Sequence, residues 1–189
     1  GCVMKSPLCL LVLFCFLSAM GFSQEKAKEL PLTAEQKKEV LKADLLFNKM
    51  LEYDDNNDVE KATPLAIQAL KIYREILGNK HPKTLKSITR LASLYEDQDE
   101  YTKAEPLYLE FLKTCRETLG NKHPDTFAGL NFLAFFYKNQ SQYGKAEPLF
   151  VEALKIRREV SGNNSTDTVV SIYLLAKLYV NQSQYDKAE

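Results

Sequence analysis

The sequence has no tryptophan, and only seven glycines and seven prolines are spread over its 189 residues. That scarcity of turn formers argues against a sheet protein with many tight connections, and the abundance of Leu, Ala, Lys and Glu argues for helix. Net charge is also missing: 25 Lys and Arg balance 25 Asp and Glu, which leaves no basic field to hold nucleic acid or an anionic membrane surface. Three of the four cysteines, Cys2, Cys9 and Cys15, crowd the first residues, so beyond them Cys115 stands alone, without a partner for a disulfide or a cysteine metal cluster.

The only long apolar run is Leu8 to Leu17. It is too short for a transmembrane helix, which needs about 20 apolar residues. Lys5 precedes it and small residues from Ala19 to Ser23 come after it, the order of a secretory signal. Residues 1–23 are therefore expected to be a signal peptide, with cleavage after Gly21 or after Ser23. The product is expected in the periplasm or outside the cell, with no membrane association once the signal is gone. Residues 24–36 form a lead-in that ends on the capping-box pair Thr33 and Gln36.

From residue 37 onward the sequence is periodic. Gly78, Gly120 and Gly162 are 42 residues apart, as are Tyr101, Tyr143 and Tyr185, and so are Ala62, Ala104, Ala146 and Ala188. Residues 79–120 and 121–162 are identical at 21 of 42 positions without a gap. The periodicity divides the chain into units of about 37–78, 79–120, 121–162 and an incomplete 163–189, expected to belong to a longer protein.

Each unit reads as two helices. The first opens at His81-Pro82 or His123-Pro124, with Pro at the first helical position and His as cap, a place Ser165 takes in the last unit. Ile88, Leu91, Ala92, Leu94 and Tyr95 recur at three- and four-residue steps and define its buried face. The second helix runs from Tyr101 to about Leu119, with Pro106 expected in its first turn and Gly120 as a left-handed C-cap. The alanine series marks close helix crossings, and Tyr53, Tyr95, Tyr137 and Tyr179 make a core stripe. In the first unit, Leu41, Leu45, Leu46 and Met50 supply the apolar stripe.

The motifs LASLYEDQDEYTKAEPLYLEFLKTCRETLGNKHP from Leu91 and LAFFYKNQSQYGKAEPLFVEALKIRREVSGNN from Leu133 resemble the tetratricopeptide repeat in its 42-residue, kinesin-light-chain-like form. The resemblance covers about residues 37–189. It implies an all-α fold, a right-handed superhelical solenoid of antiparallel helix pairs. Departures from the pattern carry expectations of their own. Phe111 stands where Ala69 and Ala153 are small, so that copy is expected to be swollen or shifted. Asp99 and Ser141 replace the turn glycine, and Lys49 and Glu52 replace apolar residues as suits a terminal unit facing solvent.

The resemblance also implies function. Ligand-facing side chains of the family come from the first helices, and the matching positions here include Lys86, Thr89, Arg90, Ser93, Asn131, Phe132, Phe135, Lys138, Tyr173 and Lys177. A protein or peptide partner, extended or helical, is expected on that concave wall. The family's peptide-clamping Asn before the Leu-Ala pair is replaced by Arg90, Phe132 and Leu174.

No catalytic set, cofactor site or metal site is expected. His81 and His123 are caps in separate units, and Cys115 reads as a partly exposed filler. The alternative reading makes this the recognition region of a larger enzyme, a caspase-like peptidase or a signalling protein, with its chemistry beyond residue 189. Asn139, Asn163, Asn164 and Asn181 match the glycosylation acceptor pattern in expected turns, relevant in a eukaryotic source.

Overall fold

A computed structural model of the chain describes residues 31–181. The export segment, the lead-in up to Leu30, and the last unit's second helix with Ala188 lie outside the described residues. The chain divides into two units, Gly1–Ala34 and Glu35–Glu189, and the helical array builds the second.

Among the described residues seven helices run in order: α1 Ala34–Asp55, α2 Val59–Leu77, α3 Pro82–Glu96, α4 Tyr101–Leu119, α5 Pro124–Asn139, α6 Tyr143–Ser161 and α7 Thr166–Asn181. No strand occurs among the described residues. The helices pair antiparallel and stack in chain order as a right-handed all-α solenoid, with α1, α3, α5 and α7 as the first helices of successive units.

The caps explain the helix boundaries. His81 and His123, in extended backbone, accept hydrogen bonds at Nδ1 from the amides of Lys83 and Asp125 at 3.2 and 3.1 Å, and Ser165 Oγ accepts from Thr168 at 3.2 Å. A buried threonine one turn on completes each junction: Thr84, Thr126 and Thr168 donate to the carbonyls of Gly78, Gly120 and Gly162 at 2.8, 2.7 and 2.7 Å. Those three glycines have φ of 82°, 87° and 79°, but ψ near 168° corrects the expected left-handed cap to the mirror-extended region that only glycine occupies.

The helix-interior prolines also differ from expectation. Pro64, Pro106 and Pro148 stand at the sixth position of their helices, in the second turn. Each forfeits one intrahelical bond, and because these prolines face solvent the carbonyl left over can bond to water. Asn139 ends α5 and Asn181 lies in α7, so neither sits in a turn; Asn139 Nδ2 donates to Glu96 Oε1 at 3.0 Å.

Ala62, Ala92, Ala104, Ala134 and Ala146 are fully buried, which lets the backbones of crossing helices approach. Phe111 does not swell its copy. Its ring lies against Gly129 of α5, the position that Ser87 and Ser171 hold in neighbouring units, and the missing Cβ makes the room. Cys115 is fully buried and not a partly exposed filler. In the first unit the inward residues of α1 are Val40, Ala43, Phe47 and Met50; Leu41 and Leu45 face solvent, because no preceding helix covers that side among the described residues.

Neighbouring units are tied by side chains at their rims. Arg74 pairs with Glu110 at 2.6 Å and Arg116 with Glu152 at 2.7 Å, one unit apart. Tyr137 and Tyr179 donate to Glu105 and Glu147 of the preceding second helix at 2.6 and 3.0 Å. One junction position is filled differently in each unit: Tyr73 donates to Asp44, Cys115 is sealed in, and Arg157 stacks on Phe127 at 3.7 Å while pairing with Asp167 at 2.9 Å.

Candidate functional site

A helix repeats every 3.6 residues, so Lys86, Thr89, Arg90 and Ser93 fall on one side of α3. Phe132 projects from α5 toward that side. With Tyr108 of α4 these residues line a hollow of about 310 Å³. A second hollow of about 540 Å³ adjoins it over Leu85, Phe111, Leu119 and Phe132, rimmed by Lys80, His123 and Asp125. A third, of about 300 Å³, lies over Phe47 and Asn48 with Asp44, Tyr73 and Lys83 around it. Lys86 borders all three, which makes them one trough along the first helices.

The floor is aromatic where the repeat departs from its pattern. Phe132 packs 6.2 Å from Tyr108 and 6.0 Å from Phe111 between ring centroids, yet stays 41% exposed. The corresponding positions hold Arg90, Ala66 and Ala69 one unit earlier. A protruding ring with a wet upper face is the usual form of an anchor for a partner side chain.

Charge is unevenly neutralised. Lys83 Nζ lies 2.7 Å from both oxygens of Asp44, and Arg90 reaches Asp54 at 3.8 Å. Burial opposes ionisation of Asp44, but the bonds from Lys83 and Tyr73 outweigh it and hold the carboxyl below its ordinary range. Lys80 and Lys86 have no carboxylate partner among the described residues; Lys86 lies 5.3 Å above the Phe47 ring. At the far end of α3, burial followed by the neighbouring charges of Asp54 and Glu96 pushes Asp97 up.

Half of the expected residues meet in this trough: Lys86, Thr89, Arg90, Ser93 and Phe132. The others sit further along the wall. Asn131 is half-buried on α5; Phe135 is half-buried with its ring edge-on to Phe150 at 5.3 Å, and Lys138 lies 5.1 Å over that ring. Tyr173, 62% exposed, and Lys177 project from α7. Tyr108 was missed by the sequence pattern, which assigned ligand contacts to first helices alone. Its hydroxyl donates to Glu96 at 3.1 Å, and burial with that carboxylate raises its pKa. The aromatic substitution at the place of Ala66 was the available clue.

Among the described residues no three His, Cys, Asp or Glu side chains gather to hold a metal, and no helix is long and apolar enough to cross a membrane.

The tetratricopeptide repeat profile matches residues 53–117 and 125–189. The chain belongs to the tetratricopeptide repeat family. Proteins of this family generally mediate protein–protein interaction, on the extended concave surfaces that stacked helix pairs create. Solved structures share the fold. BtubC (BKLC) from P. vanneervenii superposes with a TM-score of 0.71 at 22% identity, over 86% of this chain and 63% of that one. The kinesin light chain nearly identical TPR-like repeats of Podosopora anserina give 0.68 at 23%, over 79% and 70%. A Rap protein complexed with competence and sporulation factor gives 0.63 at 23%, over 79% and 40%. The chain thus spans less than two thirds of the length of BtubC. No curated protein sequence matches it.

Proposed function

We propose that this chain is an exported, non-catalytic interaction scaffold that binds a peptide or partner helix in the trough along α3 and α5. The observation that carries the reading is the convergence of Lys86, Thr89, Arg90, Ser93, Tyr108 and Phe132 around one open hollow with an exposed ring at its edge. Three neighbouring hollows that share Lys86 on their rims give room for more than one side chain of a ligand. The Rap protein solved with competence and sporulation factor supports the reading by analogy of fold. Export rests on the order of charge, apolar run and small residues in residues 1–23.

The test is selection from a displayed library of random peptides on the full chain, with titration of the selected peptides. Phe132→Ala is expected to weaken binding by about tenfold, the scale of one lost anchor. Selected peptides that bind wild type and Phe132→Ala, Arg90→Ala and Ser93→Ala variants equally would place the ligand elsewhere. Export is tested by N-terminal sequencing of the product outside the cytoplasm, with Gln24 or Phe22 expected as the first residue.

A further inference from the structure

The solvent-facing side of α1 departs from the rest of the array. Leu41 is 59% exposed and Leu45 64%, more than any other leucine among the described residues. Forty-two residues on, Leu45 corresponds to Ser87, then to Gly129 and Ser171, all buried. Gly129 shows what covers that position inside the solenoid: a Cβ on it would lie 3.2 Å from the backbone of Leu112, on the preceding second helix. On α1 the same side is open, and it carries a leucine where inner units need a small residue. A helix packed as closely as α4 on α5 would collide with Leu45, so this side fits a helix that sits further out and interlocks with the leucines.

The charges say what kind of helix. Lys37, Lys38 and Lys49 project on the same arc as Leu41 and Leu45, at offsets of four, three and eight residues from Leu41; Glu52 and Asp55 share the arc but only at its C-terminal end, away from Lys37 and Lys38. Lys37 and Lys38 have no carboxylate partner among the described residues, while Lys42, at the edge of the arc, is met by Glu39 at 3.5 Å. The net charge of the whole chain is zero, so this concentration of lysine is local. Two leucines among charged residues are too narrow an apolar face for a helix lying in a membrane surface, which presents a broad stripe with aromatic residues.

From this juxtaposition we infer that the outer face of α1 docks an acidic amphipathic helix of a partner protein, independently of the trough. Leucines or alanines of that helix lie against Leu41 and Leu45, and its carboxylates face Lys37, Lys38 and Lys49.

The experiment titrates the full chain with a fluorescein-labelled peptide of about 16 residues, long enough to be helical. It is built from Glu, Ala and Leu with leucines on one face; a second peptide has Lys for every Glu. The acidic peptide is expected to bind at least about tenfold more tightly than the basic one. Leu41→Gln with Leu45→Gln, both at exposed positions and harmless to the fold by circular dichroism, is expected to weaken it about tenfold. Lys37→Glu with Lys38→Glu is expected to reverse the preference, and Phe132→Ala to leave binding unchanged, which separates this face from the trough. The inference is overturned if the acidic peptide does not bind, if the leucine pair does not matter, or if Phe132→Ala abolishes binding. It is equally overturned if phosphatidylglycerol vesicles bind through the leucines where the peptide does not, or if sedimentation shows a dimer of the chain that Leu41→Gln and Leu45→Gln dissociate.

Discussion

Phe111 and Gly129 are complementary across the junction of α4 and α5: a Cβ at Gly129 would stand 3.1 Å from Phe111 Cδ1 and 3.2 Å from Leu112 Cα. The equivalent pairs in the neighbouring units are Ala69 with Ser87 and Ala153 with Ser171, so the large residue and the absent one changed together. Gly129→Ala gains about 1 kcal/mol of helix propensity but overpacks the junction at a cost of about 1–3 kcal/mol. A net loss is expected by urea unfolding, and a smaller one when Phe111→Ala is already present, since the contact with the Leu112 backbone remains. Additive effects in the double-mutant cycle would contradict the coupling.

Ser141 has a φ of 58°, left-handed backbone that a Cβ disfavours by about 1–2 kcal/mol. Part of that gain is offset by the larger unfolded-state entropy of glycine. Ser141→Gly is therefore expected to stabilise the protein by about 0.5–1 kcal/mol, visible as a rise in melting temperature.

Thr126 is fully buried and donates to the carbonyl of Gly120 at 2.7 Å. Valine keeps the shape but leaves that carbonyl with only the longer bond from the His123 amide at 3.4 Å, at a cost of about 1 kcal/mol. Chemical denaturation of Thr126→Val is expected to show this loss. The same change at the exposed Thr102 is expected to cost little, because threonine and valine are both β-branched and have similar helix propensity.

Alkaline conditions should weaken the fold in two overlapping steps. Burial, and then the charge of Asp125, pushes the Cys115 thiol up to about 11, and burial with the bond to Glu105 pushes Tyr137 up to about 12. The folded state holds these protons where the unfolded chain releases them, so their contribution is complete below the unfolded values and is lost as pH rises through the folded ones. Stability measured from pH 9 upward is expected to fall, with Cys115→Ala removing the earlier part of the decline. Cys115 should also resist a thiol reagent at pH 8 until denaturant is added.

What the sequence made legible was whatever recurs. The buried alanines, the His81 and His123 caps and the polar turns could be placed because several copies impose the same demand on backbone and packing. Residues whose role depends on a neighbour in another helix were not legible that way. Phe111 alone reads as a misfit, since nothing in its own helix shows that Gly129 faces it. Leu45 reads as core from its periodicity, but burial requires a preceding helix, and periodicity cannot supply one. Of the trough, the α3 contribution came from register, whereas Tyr108 reaches it from a second helix only because its ring is large.

The residues at the position of Tyr73, Cys115 and Arg157 make the three modules non-interchangeable. Excision of residues 79–120, the natural error of a gene with repeated segments, would join α2 directly to the next unit and place Asp125 where Lys83 had been. Tyr73 would then lie between two carboxylates, Asp44 and Asp125, with the lysine that neutralised Asp44 gone. An array whose junctions were alike would tolerate such shortening. This one carries a different key at each seam, and so resists losing or reordering its copies.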